Sequence, residues 1–167
     1  MNRWIVTTAL AFALTVTMSA AQAKNTLRWS SQGDALTADP HSQNHGPTTA
    51  AALQVYDPLI RRNAKSELEP SLATSWKSTN PTTWEFKLRA GVKYHDGAPF
   101  TADDVVFSIM RAKSPTSDFR NYIDSVVEVK KIDELTVHII TKEPNPILPS
   151  QLTFIAMMSK SWAEKSM

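Results

Sequence analysis

His95 and Asp96 are adjacent, and a histidine beside a carboxylate is the pairing that general acid–base catalysis uses. Gly97 follows at once, so the pair reads as part of a turn ending in a left-handed glycine, and no nucleophile is indicated nearby. Asp39, His41 and His45 are residue types that bind metal ions, but Gly46-Pro47 breaks the helical i, i+4 arrangement that would aim both imidazoles at one ion. These histidines are read as structural or exposed. Trp29, Trp76 and Trp84 could stack on a ligand, yet their strand context makes them core or subdomain-interface residues. Arg61, Arg62, Lys65 and Arg89 read as solvated faces rather than an anion site.

Composition removes further chemistries. The 167 residues contain no cysteine, which excludes disulfides, thiolate metal sites, a cysteine nucleophile and the cysteine-borne lipid of a bacterial lipoprotein. The first 23 residues have the layout of a secretory signal, with Arg3 as their only charge, an apolar core from Trp4 to Met18 and small residues at Ala21-Gln22-Ala23 before a cut at Lys24. That core is too short and too rich in threonine to be read as a membrane span. Without Arg3 the chain keeps 17 basic against 16 acidic residues, a net charge near +1. Such a balance is no electrostatic footprint for nucleic acid, and no block of like charge marks an anionic membrane surface. The 144 residues left after cleavage suffice for one ordinary core.

The elements that must position any site follow from periodicity. Thr26 to Ser30 reads as a short strand. A helix is expected from about Pro47 through Thr48 to Tyr56, ended by Asp57-Pro58 because the residue before proline leaves the helical region. Leu59 to Arg62 is a strand. Trp84, Phe86 and Leu88 alternate with Glu85, Lys87 and Arg89 as in a strand with one wet face, and Val92 and Tyr94 resume the pattern after Gly91. Thr101 opens an amphipathic helix, with Asp104 at the third position of a capping box, Val105, Ile109 and Ala112 on one stripe, and Arg111 and Lys113 in the last turn. Val126–Ile132 and Leu135–Thr141 form a hairpin about Asp133-Glu134. Pro144, Pro146 and Pro149 keep the chain extended or turning, and Leu152 to Met158 begins what reads as a last helix. The class is α+β.

The ordered run LEPSLATSW, WEFKLRAGVKYHDGAPFTADDVVFSIMR and IDELTVHIITKEPNP, with ADPH and VYDPLIRR ahead of it, resembles the N-terminal part of a family 5 extracellular solute-binding protein. That group supplies receptors to ABC importers and includes the periplasmic oligopeptide-, dipeptide- and nickel-binding proteins. The resemblance implies a type II periplasmic-binding fold of two lobes that close by a hinge, with an extra α+β subdomain on the first lobe. It places Lys24 to Tyr56 in the first lobe, Asp57 to about Met158 in the extra subdomain and Ser159 onward back in the first lobe. The rest of the first lobe, the second lobe and the hinge are absent from this sequence, so it reads as an N-terminal fragment.

By the same resemblance, the loop Asn44-His45-Gly46 lends its backbone to a peptide ligand in the manner of strand addition, with Gly46 permitting close approach. Without the family it is a glycine turn before a helix. Phe119, in SPTSDFRNY, falls where oligopeptide-binding members set an aromatic residue against the ligand, although a core aromatic reads as well. The implied function is binding without catalysis: a periplasmic monomer that needs no cofactor or metal, captures a small solute such as an oligopeptide and presents it to an ABC permease in the inner membrane. Other members carry metal complexes, haem, sugars or opines. Two readings from other classes stand beside it, a secreted hydrolase with a carboxylate or histidine site and an autonomous α+β interaction module.

Overall fold

A residue pattern with period two puts alternate side chains on opposite faces of a sheet, and the run around Phe86 does so. The computed structural model describes residue 30 and residues 33–165. In chain order its regular elements are α1 (Gly46–Ala52), β1 (Ile60–Arg62), β2 (Leu68–Pro70), β3 (Ala73–Asn80), β4 (Thr83–Leu88), α2 (Ala102–Ala112), β5 (Val126–Asp133), β6 (Thr136–Thr141), α3 (Leu148–Gln151) and α4 (Lys160–Lys165). Segment 1–23 and Trp29 lie outside the described residues, as does the strand expected at Thr26 to Ser30 apart from Ser30 itself.

Strands β3 to β6 form a four-stranded antiparallel sheet in the order β3-β4-β6-β5. Its register sets Phe86 opposite Val137 and Ile139 opposite both Trp84 and Val129, so one face carries the apolar set. Helix α2 lies on β5 and β6 and adds Val105, Ile109 and Ala112, all fully buried, to the same core. Each large side chain buried there, such as Phe86 or Ile109, stabilises the fold by about 1.5–3 kcal/mol. Trp76 and Trp84 pack half-buried against this cluster, and the Trp84 indole N–H donates to the Asn145 carbonyl at 3.1 Å. The opposite face carries Lys77, Glu85 and His138 side by side, with Glu85 accepting from both neighbours at 3.3 and 3.2 Å. The short β1-β2 ribbon packs beside this sheet, with Arg61 paired to Glu69 at 2.6 Å.

Two expectations need correction. The first helix ends at Ala52 rather than Tyr56, because the amides of Gln54 and Val55 bond three residues back to Ala51 and Ala52 and tighten the chain into a turn. That turn leaves Leu53 and Val55 exposed, so the apolar spacing that suggested a longer helix does not mark a buried face. Leu152 to Met158 is not a helix either. After the 3-10 turn Leu152–Phe154 the chain runs extended and buried to Ser159, bonded sideways. Ala156 bridges Pro58, and the Met157 amide donates to the Asp57 carbonyl at 3.0 Å. A short apolar run buried on all sides has no period to separate strand from helix, and lateral partners decide it. The final helix comes later, at α4.

Helix α2 holds this returning segment through its first turns. Asp104 Oδ2 accepts from the Thr101 amide at 2.9 Å and from the Thr101 hydroxyl at 3.2 Å, closing the expected capping box. Its other oxygen accepts the Lys160 amide at 2.9 Å, at the start of α4. One turn on, the Ser108 hydroxyl donates to the Asp104 carbonyl at 2.6 Å and accepts from the Met158 amide at 2.8 Å. One carboxylate thus caps two helices.

The last turn of α2 is tied to the chain ahead of α1. Arg111 donates to both carboxylate oxygens of Asp39, at 2.9 and 2.7 Å, a bidentate pair of the stronger kind. Asp39 also accepts the His41 amide at 3.0 Å. His41 is 1% exposed and lies between Arg111 and the returning segment, with Nδ1 3.2 Å from Arg111 Nη1 and Nε2 2.9 Å from the Ala156 carbonyl oxygen. A guanidinium can only donate and a carbonyl can only accept, so Nδ1 is bare and Nε2 carries the proton. The ring is neutral. Burial above all, with the Arg111 charge adding to it, pushes the His41 pKa down to about 4, while the Arg111 hydrogen bond holds the Asp39 carboxyl below its usual range.

Two measurements check this framework. Asp104→Ala strands two part-buried backbone amides and is expected to cost about 2 kcal/mol in urea unfolding, so an unchanged midpoint would contradict the double cap. His41 binds its proton more weakly folded than unfolded, so between its ordinary value of 6.5 and about 4 the unfolded chain holds the extra proton and stability falls on acidification. The full contribution is present above pH 6.5, is lost progressively toward pH 4, and amounts to about 3 kcal/mol at most. Unfolding free energy followed across that window should slope for the native chain and flatten in His41→Asn. Equal slopes would exclude the buried neutral ring.

Candidate functional site

The loop between the Asp39 turn and α1 is held at its base and open at its tip. Pro40 and His41 are buried, whereas Asn44, His45 and Gly46 are exposed. His45 stands in extended conformation before the helix, and its Nδ1 lies 3.3 Å from the Thr48 hydroxyl. Thr48 in turn accepts the Leu36 amide at 3.1 Å, which fixes the preceding strand of chain. Gly46 does not occupy the left-handed region, unlike Gly91 and Gly97. A Cβ built on Gly46 would meet nothing within 4 Å. Neither backbone conformation nor internal packing among the described residues therefore requires a glycine there.

The structure brings this loop together with the segment that contains Phe119. The Asn44 amide donates to Asp118 Oδ2 at 3.3 Å, and the Asn44 side chain donates to the Tyr122 hydroxyl at 3.1 Å, across 74 and 78 residues of chain. Phe119 itself is 1% exposed. Its ring lies edge-on to His41 at 6.3 Å and tilted against Tyr122 at 6.0 Å, so it serves as a core aromatic and offers no face to solvent. The ring that surfaces beside Asn44 is Tyr122, stacked on Phe154 at 4.7 Å. No pattern in the sequence singles out Asp118, Tyr122 or Phe154. Asp118 and Tyr122 lie in the same SPTSDFRNY stretch as Phe119, just ahead of and at the end of a 3-10 turn whose side-chain directions no simple period predicts, and Phe154 lies in a second 3-10 turn where the sequence pattern predicts a helix.

The other polar clusters are bonded within the fold. Asp39 and His41 are consumed by Arg111 and Ala156, and among the described residues no three His, Cys, Asp or Glu side chains are placed to hold a metal ion. His95 and Asp96 sit in the turn that reverses Tyr94–Ala98, where Asp96 accepts the Ala98 amide at 2.9 Å and Gly97 has φ +86°. Arg62 and Arg89 are exposed and spend their guanidinium groups on the carbonyls of Ser66 and Ser71.

A cleft of about 510 Å³ opens beside the crossing of Asp57 and Met157, lined by Tyr56, Leu72, Tyr94, Phe100 and Trp162, with His95 and Asp96 on its rim. The Tyr94 hydroxyl is buried without a hydrogen-bond partner among the described residues, and burial raises its ionisation well above the ordinary phenol range. Ser159 also lines the cleft, but its hydroxyl accepts the Trp162 amide and neighbours Ser161, and no hydrogen bond joins it to His95. A nucleophile and base are therefore not in register there.

Residues 67–166 match the family model described as bacterial extracellular solute-binding proteins, family 5 Middle. A probable peptide ABC transporter periplasmic-binding protein of Sinorhizobium fredii is 35% identical over 117 residues, covering 70% of this chain and 22% of that protein. The dipeptide-binding protein of Escherichia coli is 30% identical, covering 91% of this chain and 33% of its own length. The crystal structure of NikZ from Campylobacter jejuni in complex with Ni(L-His) superposes with a TM-score of 0.72 at 29% identity, over 79% of this chain and 27% of that one. The chain thus spans between a fifth and a third of these curated relatives. The family is one of transport binding proteins, not of enzymes. With its sheet, capped helix and return strand matched through the family segment, this chain belongs to the family 5 bacterial extracellular solute-binding proteins.

Proposed function

We propose that the chain forms the first part of a periplasmic receptor that captures a peptide and delivers it to an ABC permease in the inner membrane. It is exported by the leader ending at Ala23 and, having no cysteine to carry a lipid, works as a soluble monomer. Lys24 to Tyr56 and the residues from Ser159 contribute to the first lobe, and Asp57 to Met158 form the subdomain attached to it. The side-by-side crossing of Pro58 with Ala156 supports this division, since the chain leaves and returns at one place. No reaction is involved. Ligand contacts to both lobes favour the closed state, and the permease recognises that state.

The observation that carries the peptide reading is the loop at Asn44-His45-Gly46. It is exposed, braced from below, and holds a glycine that nothing internal demands. A glycine where no turn or packing needs it suits an approach by another backbone, and backbone pairing accepts peptides irrespective of their side chains.

A chimera tests this. Residues 24–167 are joined to the unmatched remainder of the Escherichia coli dipeptide-binding protein, and thermal unfolding is followed with di- and tripeptides. Stabilisation of about 2.7 kcal/mol is expected at a hundredfold excess over Kd, and Gly46→Val should reduce it. A cooperatively folded chimera that no peptide stabilises would overturn the proposal.

A further inference from the structure

The tip of the candidate loop is tied sideways as well as from below. Among the described residues, Asn44 alone in segment 42–47 hydrogen-bonds to the stretch Asp57–Met158, and it does so twice. Its backbone amide donates to Asp118 Oδ2 at 3.3 Å, and its side-chain nitrogen donates to the Tyr122 hydroxyl at 3.1 Å. Ser42 and His45 bond only to near neighbours, at Asp39, Thr48 and Thr49.

The bracing side is ordered by its own bonds. The Ser117 hydroxyl accepts the Phe119 amide at 3.1 Å, and the Tyr122 amide bonds back to the Phe119 carbonyl at 3.0 Å. Phe119 is buried, and the Tyr122 ring stacks on Phe154 at 4.7 Å. Asp118 and Tyr122 thus stand on a turn that holds its shape without the loop, so the loop is the partner that gains order from the contact. The brace also leaves free the groups that a peptide backbone needs. The Asn44 carbonyl and the amides of His45 and Gly46 make no hydrogen bond among the described residues, whereas the Asn44 amide and side chain are committed. A loop ordered in advance spares its ligand the entropy of ordering it.

We propose that Asp118 and Tyr122 are positioning residues for peptide capture: they hold Asn44, and through it His45 and Gly46, in the shape that a peptide backbone meets. The inference rests on the peptide reading above. It gives the SPTSDFRNY stretch a part in binding that needs no aromatic ring against the ligand.

The test compares the native sequence with the double variant Asp118→Ala/Tyr122→Phe and with Asp118→Asn, which keeps a carbonyl oxygen as acceptor. In the isotope-labelled chain without peptide, backbone order parameters at His45 and Gly46 should fall from about 0.85 to below about 0.6 in the double variant and stay near the native value in Asp118→Asn. In the chimera described above, calorimetric affinity for tri-alanine should drop about tenfold in the double variant at an unchanged urea midpoint, and by less than about twofold in Asp118→Asn. Unchanged order parameters in the double variant would overturn the brace whether or not a peptide binds. Retained affinity there, or a loss that only follows a lowered midpoint, would overturn the positioning role and leave the peptide reading standing. A folded chimera of native sequence that binds no peptide would overturn both.

Discussion

The neutral imidazole of His41, wedged between the Arg111 guanidinium and the Ala156 carbonyl, is the contact on which the arrangement turns. It joins three stretches far apart in the chain: the segment ahead of α1, the end of α2 and the return strand before α4. Asp39 completes the set by accepting from Nη1 and Nη2 of Arg111, so that a partly buried cation is neutralised. Were the ring to gain a proton at Nδ1, it would face a guanidinium with which it shares no acceptor. The loop that follows His41 is positioned from this base, and the aromatic series through Phe119 starts from the same ring.

The opposite end of α2 performs a related task by different chemistry. Asp104 and Ser108 take the amides of Lys160 and Met158, so the return strand is held along its length by one helix. Buried backbone amides must find partners, and a returning strand with neighbours on one side only would leave several unpaired. Side chains of α2 supply what a further strand would otherwise provide. The fold is consequently a sheet and helix that hold the points of exit and re-entry of the chain beside each other.

Much of this was legible in the sequence. The alternation at Trp84, Phe86 and Leu88, the turn closing on Gly97, the capping pair Thr101 and Asp104 and the hairpin at Asp133-Glu134 are local signals, and each element formed where its own residues specify it. The first helix stops short through its own local turn, and the larger failure lies where partners distant in sequence decide. Ile155 to Met158 runs extended because Pro58, Asp57, Ser108 and His41 bond it, and nothing in its own composition announces them. The same holds for the candidate site. The resemblance led to Asn44, His45, Gly46 and Phe119, and the structure sets the loop beside Phe119's segment, but the ring that reaches the surface is Tyr122. Burial of Phe119 depends on His41 lying beneath it, a contact across 78 residues that no periodicity encodes.

The segment that identifies the family therefore lies mostly in the sheet and its helix, whereas the features that would meet a ligand hang on a histidine outside that segment. The protonation of His41 is the direct measure of this account. Ring-nitrogen NMR of the labelled chain should show protonated Nε2 and bare Nδ1 at neutral pH, with no titration until well below pH 5, in line with a pKa near 4. A ring that titrates near 6.5, or that carries its proton on Nδ1, would contradict it.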